Sequence, residues 1–120
     1  MKLLLLRQFN NSDTDYLMRH LADKYDIIIP KIFSEKELSS FISNVDVCLG
    51  NSISADLLQG ANKLKLFQNN GAGVDKLNLE LFKEKDIIVG NSHTNGIYVA
   101  EYAIALLFSL IKKTHHHDRF

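Results

Sequence analysis

A chain of 120 residues is about one domain long, and a hydrophobic content of 46% is enough to fill a single packed core, which excludes intrinsic disorder. Lysine plus arginine and aspartate plus glutamate number 14 each, so there is no excess positive charge to draw a nucleic-acid backbone or an anionic membrane. Both are set aside as partners. The single Cys48 cannot form an internal disulfide and lies in an apolar run, which points to a reducing, cytoplasmic setting.

The chain opens MKLLLLRQFN. The leucine run is too short for the apolar core of a signal peptide, and no small-residue cleavage site follows it, so it predicts a first strand. Further strand-length apolar runs occupy residues 27–29, 45–49, 64–67 and 87–89, after the first at 3–6. Each run is nearly continuous where a half-exposed strand would alternate, the pattern of strands covered on both faces in a parallel sheet.

Helix signals separate the strands. Ser12, Asp13, Thr14 and Asp15 are N-cap candidates ahead of Tyr16, Leu17, Met18 and Leu21. Ser34 and Glu37 have capping-box spacing before Leu38, Phe41 and Ile42. Weaker helices are expected at 54–58 and 78–85. Strand and helix alternate throughout, so right-handed crossovers should build a flavodoxin-like α/β domain, a five-stranded parallel sheet with helices on both faces.

Residues 98–113, YVAEYAIALLFSLIKK, form a helix that is apolar almost all round. Such a helix must be buried on more than one side. It falls short of a membrane span, which takes about 18 apolar residues or more, and it contains Glu101. The sheet can cover one side only, so another domain or another chain is expected on the other. The chain therefore divides into a domain at 1–97 and an interdomain helix at 98–120.

Ligands in open parallel sheets bind beyond the carboxyl ends of the strands, which makes the loops at 7–11, 69–75 and 90–96 the candidates. The stretch NNGAGVDKLN has a glycine pair at Gly71 and Gly73, but Lys76 stands where a dinucleotide fingerprint needs its third glycine. The loop also follows the fourth strand instead of the first. No Walker loop is present either. The remaining readings are an anion-binding nest, in which glycines at positive φ let backbone amides approach a ligand, and a plain packing turn.

The order Gly71-Ala72-Gly73-Val74-Asp75, then Asp86-Ile87-Ile88-Val89 leading to Asn91, then Val99-Ala100-Glu101 opening the apolar helix, resembles the D-2-hydroxyacid dehydrogenase family. The resemblance runs from Leu64 to about Lys113. It implies the family's substrate-binding, or catalytic, domain, with the last helix crossing to a nucleotide-binding domain absent from these residues. By the resemblance, backbone amides of Asn70, Gly71, Ala72, Gly73 and Val74 hold the carboxylate of a small 2-hydroxy or 2-oxo acid, and Val99 lies beside the cofactor, NAD or NADP. No tight binding of either cofactor to this chain alone is expected. His93 replaces the family's usual proline and Tyr102 a frequent histidine. The family's fingerprint, substrate-gripping arginine and acid-paired histidine all lie further downstream, so no catalytic residue is assigned.

Other polar residues have two readings each. Adjacent His115, His116 and His117 do not converge on one metal ion as i, i+4 pairs can, so no metal site is assigned. Asp75 could cap the following helix or contact ligand, with Asn78 a competing cap. Glu101, a charge in a dry helix, could be a functional acid, but is expected to bond loop backbone amides or sit at the helix's positive end. Arg7 could face the cleft or solvent, and His93 is expected to be a structural loop residue. An alternative function is a stand-alone α/β binding or assembly module that forms a homodimer through its last helix.

Overall fold

The structure is a computed structural model and describes residues 1–113. Strands β1 (Lys2–Leu5), β2 (Asp26–Ile28), β3 (Val47–Gly50), β4 (Leu66–Asn69) and β5 (Ile88–Gly90) alternate with helices α1 (Asn11–Leu21), α2 (Glu35–Ile42), α3 (Ala55–Gly60), α4 (Leu79–Glu84) and α5 (Gly96–Lys112). All strand pairs are parallel, and the sheet order is β2-β1-β3-β4-β5, the expected flavodoxin-like arrangement. Strands β3 and β4 start two residues after their apolar runs do: Val45 and Leu64 precede them, yet both are buried. Their side chains plug the core from the approach loops.

Successive strand residues point to opposite faces, and this divides the core. Leu3, Leu5 and Val47 meet Leu17 and Leu21 of α1 on one face. Leu4, Cys48 and Phe67 face α2, α3 and α4 through Leu38, Ile42, Leu57, Leu58 and Phe82. The Phe67 and Phe82 rings stand 5.2 Å apart, tilted, and anchor α4 under the end of the sheet that carries the glycine loop.

Caps set the helix starts. Asn10, rather than any residue from Ser12 to Asp15, caps α1: its Oδ1 accepts from Asp13 N at 2.7 Å. Ser34 Oγ accepts from Glu37 N at 3.3 Å, but the Glu37 carboxylate accepts from Lys31 N at 3.1 Å instead of returning to the cap. Half a capping box therefore forms. Ser54 caps α3 and Asn78 caps α4, leaving Asp75 free of that role.

At the amino edge, the Asp46 carboxylate accepts from Lys2 N at 2.8 Å. That bond, helped by Lys65, holds its carboxyl below the usual range. Its stabilising contribution is thus present above the ordinary aspartate pKa and lost as pH falls through the lower folded value.

The last helix departs from expectation. From Gly96 to Lys112 every residue except Ser109 is exposed, and α5 buries none of its side chains. The sheet covers neither side of it. With 17 residues, the helix is about 26 Å long. Among the described residues α1 is the only helix packed on the Leu3–Leu5–Val47 face of the sheet, and Ile88 of β5 is 69% exposed. Among the described residues no helix is long and apolar enough to cross a membrane.

Cys48 is fully buried and its thiol is pushed up to about 12 by burial. At neutral pH it should resist alkylation by iodoacetamide in the folded protein and label at the rate of global unfolding. Rapid labelling without unfolding would show that the α2–α4 side of the core opens locally.

Candidate functional site

The carboxyl edge of the sheet is built around Asn69, the last residue of β4. It is 2% exposed and is the only buried polar residue among those described. Its Oδ1 accepts from Gly71 N at 3.1 Å and its Nδ2 donates to Gly73 O at 2.6 Å. One side chain thus spans the turn from inside. Asn70 N donates to Gly50 O at 3.2 Å, which ties the start of the loop to β3.

A second set of donors comes from the segment after β5. Ser92 N donates to Gly71 O at 3.1 Å, and Asn91 Nδ2 donates to Ala72 O at 2.8 Å. The carbonyls of Gly71, Ala72 and Gly73 are therefore all held by groups of this chain, that of Ala72 by an exposed asparagine. In a trans peptide the N–H of the next residue points opposite to the carbonyl, so the amides of Ala72, Gly73 and Val74 turn outward. None of these three has a protein acceptor among the described residues. Three adjacent donors without a protein acceptor are a feature suited to an anion.

The glycines serve this surface differently from what the sequence suggests. No described glycine takes a positive φ. A Cβ at Gly73 would come within 2.7 Å of Asp75 Oδ1, the end of a side chain free to swing aside. Backbone strain is not the issue there. The absent side chain leaves the amides bare.

Beside the loop lies a cavity of about 260 Å³ lined by Asn51, Asn69, Gly71, Gly73, Asp75 and Lys76. Its two charges, Asp75 and Lys76, offset each other. A larger recess of about 450 Å³ between Met18 and Ile27 sits at the turn from α1 to β2, on the amino edge of the sheet and away from the outward amides. Asn70 Oδ1 is buried without a hydrogen-bond partner, so Asn70 brings an unused acceptor while its backbone amide is occupied.

The other sequence candidates spread around this centre. Arg7 Nη1 donates to Asn51 Oδ1 at 3.1 Å, which brings it to the cavity wall. His93 Nε2 lies 2.9 Å from Asn91 Nδ2, so His93 supports the asparagine that holds Ala72. Val99 is 60% exposed in the first turn of α5, and Glu101 is exposed as well, not buried as expected. His115 to His117 lie outside the described residues. Among the described residues no cluster of histidine, cysteine, aspartate and glutamate could hold a metal. Nor do these residues fit a dinucleotide: Lys76 occupies the third fingerprint position, and the loop follows β4, not β1.

Sequence reasoning passed over Asn51, Asn69 and the clamp role of Asn91. The usable signal was an asparagine closing an apolar strand immediately before a glycine turn, because a buried amide there must find backbone partners. Asn69→Ala is expected to lower the unfolding free energy by about 2–4 kcal/mol in urea titrations, since two buried hydrogen bonds go at once. Asn51→Ala, at an exposed position, should change it by less than about 0.5 kcal/mol.

Comparison with known proteins shows the family and the fold. The sequence profile of the D-isomer specific 2-hydroxyacid dehydrogenase catalytic domain matches residues 4–113. A D-3-phosphoglycerate dehydrogenase of Archaeoglobus fulgidus is 26% identical over 99% of this chain, which covers 23% of that protein. The crystal structure of the PH0520 protein from Pyrococcus horikoshii superposes with a TM-score of 0.74 at 27% identity, over 99% of this chain and 36% of its own. The D-lactate dehydrogenase of Aquifex aeolicus, complexed with NAD and lactic acid, shares the fold with a TM-score of 0.76 at 20% identity, over 99% of this chain and 36% of its own. The chain thus spans between 23% and 36% of the length of these relatives. It belongs to the D-isomer specific 2-hydroxyacid dehydrogenase family and corresponds to that family's catalytic domain.

Proposed function

We propose that the amides of Ala72, Gly73 and Val74, flanked by Asn70 and Gly71, hold the carboxylate of a small 2-hydroxy or 2-oxo acid. The chain then acts as the substrate domain of an NAD(P)-linked oxidoreductase working on the CH–OH group of that acid. The observation that carries this reading is the inward capture of three consecutive carbonyls by Asn69, Asn91 and Ser92, which turns three amides outward. Such preset donors bind an anion without reorganising. The lactic acid and NAD held by the Aquifex aeolicus relative support the same chemistry.

A nicotinamide supplies or accepts the hydride when bound, and the described residues build no site for it. This chain's part is to orient the acid. The fully exposed α5 supports the reading that a nucleotide-binding domain packs against that helix, with Val99 on the side toward the cofactor. A second reading has the same observation behind it: two copies could bury α5 against each other as an assembly module, in a cytoplasmic homodimer.

With this chain alone, NADH oxidation in the presence of glyoxylate, pyruvate or hydroxypyruvate should stay at background. Turnover that Gly73→Val abolishes would contradict the need for a second domain. Sedimentation distinguishes the two roles of α5. If copies pair through it, the protein sediments as a dimer and Ile104→Asp, placing an unpaired charge in an apolar contact, returns it to monomer. A wild-type monomer would rule out the homodimer.

A further inference from the structure

The described residues contain a single ion pair, Lys65 with Asp46, at the far edge of the sheet. Arg7 has no such partner, yet it is held in place. Its Nη1 donates to Asn51 Oδ1 at 3.1 Å, its Nε donates to Gln8 O at 3.3 Å, and its guanidinium lies 5.2 Å from the centre of the Phe9 ring. A stacked, hydrogen-bonded arginine without a carboxylate is a cation positioned for something outside the chain. The two charges that line the cavity, Asp75 and Lys76, cancel, so Arg7, bonded to the lining residue Asn51, adds an unbalanced positive charge beside it.

Its place in the fold sets a distance. Arg7 follows β1, Asn51 follows β3, and the outward amides follow β4, with β1, β3 and β4 adjacent in that order. Neighbouring strands are about 4.8 Å apart. By reaching across to Asn51, Arg7 brings its guanidinium to the end of β3, roughly one strand spacing, or about 5 Å, from the loop on β4.

We infer that Arg7 selects acids that carry a second anionic group, a phosphate or a second carboxylate, about 5 Å or more from the carboxylate held on Ala72, Gly73 and Val74. The inference rests on the carboxylate site proposed above. Monoanionic acids of the same class use the loop alone and gain nothing from Arg7. The guanidinium pairs with either anion in a charge-assisted, bidentate contact.

The test follows the amide resonances of Ala72, Gly73 and Val74 in NMR titrations of the protein with glycolate, malate and 3-phosphoglycerate. Malate, 3-phosphoglycerate or both should bind about tenfold more tightly than glycolate, and the better of them names the second anion. Arg7→Gln should bring the preference to within about twofold, and Arg7→Lys should restore part of it. Because Arg7 is exposed, resonances remote from the cavity should be unchanged in both variants. If glycolate shifts these amides but neither dianion binds more tightly, or if Arg7→Gln leaves the preference intact, the role of Arg7 is overturned while the carboxylate site stands. If none of the acids shifts these amides, the carboxylate site itself is refuted.

Discussion

The planarity of the peptide bond governs this site. A trans peptide cannot turn its carbonyl inward without turning the next N–H outward. Asn69, Asn91 and Ser92 take the carbonyls of Gly73, Ala72 and Gly71, so the facing amides have nowhere to point except the cleft. Asn69 matters most, because it is the one donor buried in the core and it grips the turn at both ends. Under the proposed function, a carboxylate at the loop would meet donors already aimed, and little ordering cost would remain to be met on binding.

The fold supplies the position of that clamp. A parallel sheet gathers the ends of β1, β3, β4 and β5 along one edge, so residues as distant in sequence as Arg7, Asn51, Asn69 and Asn91 become neighbours. Packing beneath them is rigid: Phe67, immediately before Gln68 and Asn69, is fully buried against Phe82. By contrast α5 has no packing of its own, and Ile88 stands uncovered on the sheet. Burying a side chain of this size is worth about 1.5–3 kcal/mol. Covering either surface would gain that much for each side chain buried.

How much of this was legible in the sequence follows from which forces are local. Continuous apolar runs mark strands covered on both faces, and the five strands and their parallel pairing follow from that pattern. Capping is only partly local: Ser34 is readable from spacing, whereas Asn10 outcompetes four later candidates because its side chain reaches Asp13 N. The glycine loop was legible as a candidate, but the bonds that orient it were not. Positive φ was the natural expectation for Gly71 and Gly73, and neither adopts it. The orientation of the loop depends instead on bonds from Asn91 and Ser92, about 20 residues away, which no local rule reports. For α5 the apolar pattern correctly signals a need for burial and cannot say against what.

Amide hydrogen exchange at Ala72, Gly73 and Val74, with and without glycolate, tests the central claim most directly. If the three N–H groups face the cleft, they should exchange fast in the free protein while Gly71, bonded to Asn69, is protected, and glycolate should slow all three. Protection of these amides in the free protein, or exchange that glycolate leaves unchanged, would contradict it.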